Sequence, residues 1–159
     1  LGPLTTHKGY NLFKNACDAL WQSGNHNFEA HIFVEINNPP SYMICHKPYS
    51  YKELSNVMNQ LDVVITPSEC EETFGFTVLE ALSYGIPVIV SEKVGAKDLI
   101  LEGKNGFVVD GTIQGVKDCL KKLINNPLIV QKMNSNIVDS FYVKTMAEHA
   151  CEIELLYQK

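Results

Sequence analysis

Two carboxylates eight positions apart, Glu72 and Glu80, flank a turn whose composition suits an anion. Between them, Phe74-Gly75-Phe76 open a predicted helix. A helix start leaves about four N–H groups without partners, and the aligned peptide dipoles put partial positive charge there. Gly75 removes a side chain where a ligand must approach the backbone, so the amides around Gly75, Phe76 and Thr77 suit a phosphate or diphosphate. Thr77 adds a hydroxyl donor to the same group. Glu80 lies about one and a half turns further along the helix. A carboxylate near a phosphate needs neutral donors, and a pair of ribose hydroxyls meets that need. Glu72 precedes the helix, on the side toward which a group on the distal phosphate would project. There it can accept from sugar hydroxyls or balance positive charge developing at an anomeric carbon. Each residue also has a plainer reading. Glu72 can serve the helix dipole alone, Glu80 can be a core-edge carboxylate with a structural partner, and Gly75 can simply permit close helix–strand packing.

The elements that position this turn are a strand before it and a strand after it. Asp62-Val-Val-Ile-Thr66 leads in through Pro67-Ser-Glu-Cys-Glu-Glu72, and Pro87-Val-Ile-Val-Ser91 follows the Gly85 stop. Strand, loop, helix, strand is the unit of a parallel α/β sheet. Upstream, Leu12, Phe13, Ala16, Cys17, Leu20 and Trp21 form a helical stripe, and Ala30 to Ile36 reads as a strand closed by Asn37-Asn-Pro-Pro40. Tyr42 to Cys45 is a shorter strand. Ser50-x-x-Glu53 is a capping box ahead of a helical face at Leu54, Val57, Met58 and Leu61. Downstream, the pattern predicts a short helix at Gly95–Glu102 and a strand at Gly106–Asp110. Three further helices are predicted, at Thr112–Asn125, from Pro127 to about Ser140, and at Val143–Tyr157. The alternation predicts an α/β fold with a doubly wound, Rossmann-like parallel sheet, whose ligands sit at the carboxyl ends of the strands.

Length and composition bound the possibilities. The 159 residues form a single predicted domain, with 45% apolar and 19% charged residues, an ordinary globular balance. A net charge of −5 supplies no basic excess for nucleic acid or an acidic membrane. No apolar run approaches the length of a membrane span, and no signal peptide is visible. The cysteines at 17, 45, 70, 119 and 151 are odd in number and lack CxxC spacing, so reduced thiols of a cytosolic protein are expected. The histidines at 7, 26, 31, 46 and 149 show no ligand spacing, and no Asp-x-Asp metal motif occurs. Leu1-Gly2-Pro3 reads as the tail of a strand and a turn, so a piece of a longer polypeptide is expected.

The run from Pro67-Ser68 through Glu72-Thr-Phe-Gly-Phe-Thr-Val-Leu-Glu80 to Ile89-Val-Ser91 closely resembles the donor-site motif of retaining glycosyltransferases of the GT-B architecture, nearest family 4 (group 1). The resemblance extends to Gly2-Pro-Leu-Thr-Thr-His-Lys8-Gly9, to Asp62–Ser68 and to Gly95–Val109, and so covers essentially the whole chain. It implies the C-terminal, donor-binding half of a two-domain enzyme that transfers a hexosyl unit to a saccharide or lipid acceptor. Glu80 would hold the ribose, and the amides around Gly75, Phe76 and Thr77 the diphosphate. Glu72 would meet the sugar, and Lys8 would neutralise the diphosphate and assist its departure. The base-binding strand end falls on Lys47-Pro48-Tyr49, which makes Tyr49 a base contact.

The same resemblance implies a UDP-, GDP- or ADP-sugar as substrate and neither a cofactor nor a metal. An N-terminal acceptor domain of the same polypeptide would complete the cleft, so this piece alone should bind nucleotide and turn over little. The final helix would pack toward that other half. A cytoplasmic protein is expected, with peripheral membrane contact open to the full-length form. One departure matters: the family has Arg after its first glycine, and here that residue is Pro3. One bidentate contact to the diphosphate is then lost, and weaker donor binding is expected. A nucleotide-sugar epimerase of the same architecture and a non-catalytic module with a relict site are the alternatives.

Overall fold

The computed structural model describes residues 6–158. After a single 3-10 turn at Thr6–Lys8, the chain runs α1 (Tyr10–Gln22), β1 (Ala30–Ile32), β2 (Met43–Cys45), α2 (Leu54–Met58) and β3 (Val64–Thr66). It continues through α3 (Phe76–Ser83), β4 (Val88–Ser91), β5 (Gly106–Val109), α4 (Ile113–Asn125), α5 (Pro127–Ser140) and α6 (Met146–Tyr157). Among the described residues the strand pairs are parallel and fall in two groups: β1–β2, and β3–β4–β5 with β4 in the middle. Among the described residues, no helix is long and apolar enough to cross a membrane.

Alternation along β4 sorts the helices into two layers. All four residues of β4 are buried, as expected of a central parallel strand. Val88 and Val90 face one way, where Val64 and residues of α2 and α3 pack on them. Ile89 faces the other way, with Leu12 and Ala16 of α1 and Val116 and Leu123 of α4. Helix α5 contributes Met133 to the second layer and Ile137 to the first. Helix α1 also reaches the smaller sheet: Cys17 packs with Ala30, Ile32, Tyr42 and Met43. The two sheets therefore share α1 as a covering helix, within a doubly wound, Rossmann-like α/β fold.

Several predicted elements are shorter than their hydrophobic runs. The run Ala30–Ile36 forms a strand only to Ile32, because its ladder ends where the His46 N–H donates to the Ile32 carbonyl at 2.7 Å. The helix predicted at Gly95–Glu102 is a 3-10 helix over Gly95–Leu99. Beyond it, buried Asn105 takes the backbone: its Oδ1 accepts from Leu101 N–H (2.8 Å) and its Nδ2 donates to Leu99 O (3.0 Å). The Ser50–Glu53 capping box forms, over a 3-10 turn at Tyr51–Glu53 that leads into α2. Helix α5 starts on Pro127, whose missing N–H is of no consequence in a first turn.

Candidate functional site

At the carboxyl ends of β3 and β4 the chain is stitched by small residues and backbone bonds. Buried Ser91 donates from its hydroxyl to the Ser68 carbonyl (2.7 Å). The Ser68 hydroxyl lies 3.2 Å from the His7 carbonyl, which also accepts from Glu69 N–H at 2.9 Å. These bonds bring the Thr6–Lys8 turn against the start of the loop after β3, with His7 and Ser68 61 residues apart in the chain. Gly9 completes the approach: its φ is +77°, and a Cβ there would lie 1.8 Å from the Pro67 carbonyl oxygen. Only glycine fits such a position.

A second set of backbone bonds fixes the loop from its other side. Glu72 N–H donates to Lys93 O, and Glu72 O accepts from Gly95 N–H, both at 2.9 Å. Ala96 N–H donates to Phe74 O at 2.6 Å. A Cβ on Gly95 would meet the Thr73 carbonyl oxygen at 2.2 Å, which is why the two loops can touch. Helix α3 begins two residues later than the predicted Phe74. The Phe74 carbonyl is taken by the neighbouring loop, and Gly75 has left-handed geometry (φ 94°, ψ 68°) that no α-helix accommodates. The result is an open helix end. No side chain caps α3, and the amides of Gly75, Phe76 and Thr77 donate to no protein acceptor among the described residues.

The side chains around this end carry opposite charges. Lys8 Nζ lies 3.0 Å from Glu72 Oε2, with the Lys8 side chain 46% and the Glu72 side chain 18% exposed. Partial burial raises the Glu72 carboxyl, but the Ser68 hydroxyl and Lys8 outweigh it and hold the group below the usual carboxylate value. Glu72 is thus an anion at neutral pH. Lys8, Glu72, Gly75, Phe76, Thr77 and Glu80 all line one cleft of about 1260 Å³. The structure therefore brings together every residue singled out around the turn, including Lys8 from the far end of the chain.

Tyr49 stands apart. It does not line the cleft; its ring packs edge-on against Phe33 with centroids 5.2 Å apart. Burial pushes its phenol up, and the Glu80 carboxylate nearby adds to the effect. Tyr49 thus packs against the hydrophobic core, near enough to Glu80 to feel its charge. Pro3 lies outside the described residues. Sequence reasoning missed Ser68, Ser91 and Gly95, which shape the site without facing it. It also missed Thr66, whose buried hydroxyl has no partner among the described residues and which lines the cleft. The available signal was a small or hydroxyl residue at each strand end.

Comparison with known proteins places the chain in a family. Residues 41–139 match the model of glycosyl transferases group 1. The alpha-1,3/1,6-mannosyltransferase ALG2 of Dictyostelium discoideum is 31% identical over 97 residues, 58% of this chain and 23% of that protein. The C-terminal domain of the group 1 glycosyl transferase LpcC of Francisella tularensis superposes with a TM-score of 0.75 at 21% identity, covering 87% of this chain and 80% of that one. Anabaena HepE, solved with UDP and glucose, gives a TM-score of 0.65 at 18% identity, covering 94% and 55%. The chain spans a third or less of the length of the first curated relatives it matches. With well over half its length inside the family model, the chain belongs to the glycosyl transferases of group 1, on a GT-B type Rossmann-like domain.

Proposed function

We propose that this chain is the donor-binding domain of a retaining hexosyltransferase and takes a nucleoside diphosphate sugar at the carboxyl edge of β3 and β4. The observation that carries the reading is the meeting, in one cleft, of the uncapped α3 end with Lys8, Glu72 and Glu80. The diphosphate lies against the amides of Gly75, Phe76 and Thr77, where the helix dipole favours negative charge. Lys8 supplies the formal positive charge, exchanging its partner Glu72 for phosphate oxygens as the donor enters. That exchange frees Glu72 to receive sugar hydroxyls, and in the transition state to balance charge at the anomeric carbon. Glu80, inside the helix, accepts from the ribose. The acceptor, a saccharide or lipid, is held by an N-terminal domain of the full protein, and the isolated domain binds donor but turns over little. HepE, with UDP and glucose bound on the same fold, supports this class of donor.

Calorimetric titration of UDP, GDP and ADP into the chain tests the reading. One of the three is expected to bind, and Glu80→Ala to weaken it roughly tenfold or more, the loss of a charged hydrogen bond worth about 1.5–3 kcal/mol. Pro3→Arg is expected to tighten it by restoring a cation. Absence of binding by all three nucleotides would replace this reading with a relict module.

A further inference from the structure

Thr66 closes β3 at its carboxyl end and lines the cleft, yet its hydroxyl is buried and has no hydrogen-bond partner among the described residues. Buried hydroxyls are normally paired, and one that is not calls for a reason. Alternation along β3 tells where this side chain lies. Val63 and Ile65 pack with the α1 and α4 layer, whereas Val64 packs with α2 and α3. Thr66, two residues beyond Val64, therefore projects to the α3 side. Two sources of positive charge converge on this end of the strand. The next residue, Pro67, receives Gly9, and Ser68 and Glu69 both bond the His7 carbonyl, which keeps Lys8 beside the strand end. Helix α3 runs back over the same face, so its open amides at Gly75, Phe76 and Thr77 lie over the same edge. Valine has the shape of threonine, suits a strand as well, and would leave nothing unpaired. The Thr66 hydroxyl is thus a polar group that the described fold does not use.

We infer that the Thr66 hydroxyl is a further binding group of this cleft, one that donates to an oxygen of the donor's diphosphate; the inference rests on the function proposed above. The hydroxyl is turned out of contact with solvent, although the residue as a whole is only partly buried. A turn about χ1 to another staggered position brings it round to the cleft. That turn breaks no hydrogen bond among the described residues, so nothing has to be given up before the new bond forms. A phosphate oxygen is the matching partner. It only accepts, it is charged, and it belongs where Lys8 and the α3 amides converge. A bond from a neutral hydroxyl to such an acceptor is shorter and stronger than one between neutral groups. Glu80, further along α3, keeps its place at the ribose, so the two residues read different parts of the same ligand.

Thr66→Val and Thr66→Ser, titrated beside the wild type, test this. The ligands are whichever of UDP, GDP and ADP the chain binds, the corresponding nucleoside, and inorganic pyrophosphate. Thr66→Val is expected to weaken the nucleotide and pyrophosphate alike by about tenfold, the scale of one hydrogen bond to a charged group. The nucleoside is expected to change by less than about twofold, because it carries no phosphate. Thr66→Ser keeps the hydroxyl and is expected to stay within about threefold of wild type. Without ligand, Thr66→Val is expected to melt no lower than wild type, since it removes an unpaired buried group. Equal nucleotide affinity in Thr66→Val and wild type overturns the inference, as does a loss that falls equally on the nucleoside. A Tm several degrees lower in Thr66→Val also overturns it, because the hydroxyl then serves the fold. A wild type that binds none of the three nucleotides fails earlier, at the proposed function itself, and removes this inference with it.

Discussion

Helices α3 and α6 meet the same problem, four orphan N–H groups at a helix start, in opposite ways. In α6, Thr145 and Glu148 form a full capping box: the Thr145 N–H and hydroxyl both donate to Glu148 Oε2 at 2.7 Å. Tyr142 donates to the other oxygen of Glu148, and Lys144 pairs with Glu152 at 2.5 Å. Yet all twelve residues of α6 are exposed, including Met146, Leu155, Leu156 and Tyr157. Helix α3 is shorter, has no capping side chain, and is held by burial of Val78, Ala81 and Leu82. A helix that buries none of its residues needs its own ends satisfied. One seated in the core can leave its amino end open, and only an open end can receive an anion.

The contrast can be broken hardest at Gly75. In Gly75→Ala the new Cβ lies 2.6 Å from Val94 Cγ1 at a φ of +94°, so strain and overpacking add. A loss of about 3 kcal/mol in denaturant unfolding is expected, together with loss of nucleotide binding. A melt unchanged from wild type would show that the α3 start is not pinned by its neighbours.

Glu72 sharpens the comparison through pH. Its folded pKa lies below the ordinary 4.5, so its contribution to stability is present in full above that value. The contribution is lost as pH falls through the lower folded value. Glu72→Gln should therefore flatten the acid limb of stability below about pH 4.5, while changing stability at pH 7 by less than about 1 kcal/mol, because Lys8 is half exposed. Acid unfolding curves that superpose would rule out the pair as a stabilising contact. The smallest global effect is expected for Thr145→Ala. It removes a cap worth about 1 kcal/mol to α6, so helical circular dichroism should fall while the Tm of the core stays put. A shift in the core Tm would mean that α6 is coupled to the rest of the chain.

What the sequence made legible follows the range of each interaction. Periodicity located α1, α4 and α5 closely, and the Ser50–Glu53 box by its spacing, because those patterns are local. The charged and glycine residues of the loop were legible for the same reason: Glu72, Gly75 and Glu80 lie within nine consecutive positions. The bonds from Ser91 to Ser68 and from Ser68 to His7 span 23 and 61 residues, and no spacing announces them. The late start of α3 has the same origin, since Phe74 is held by Ala96, which is distant in sequence. The run from Ala30 to Ile36 shows that hydrophobicity marks where a strand is possible, whereas its length depends on the partner's ladder.

The way Glu72 is held has one more consequence. Its N–H and its carbonyl are both engaged by the Lys93–Gly95 segment, so the loop's path depends on main-chain atoms and on Gly95. The side chain at position 72 has no share in that attachment. A substitution there gives up the Lys8 pair but leaves these two main-chain bonds in place, so the path of the loop is kept.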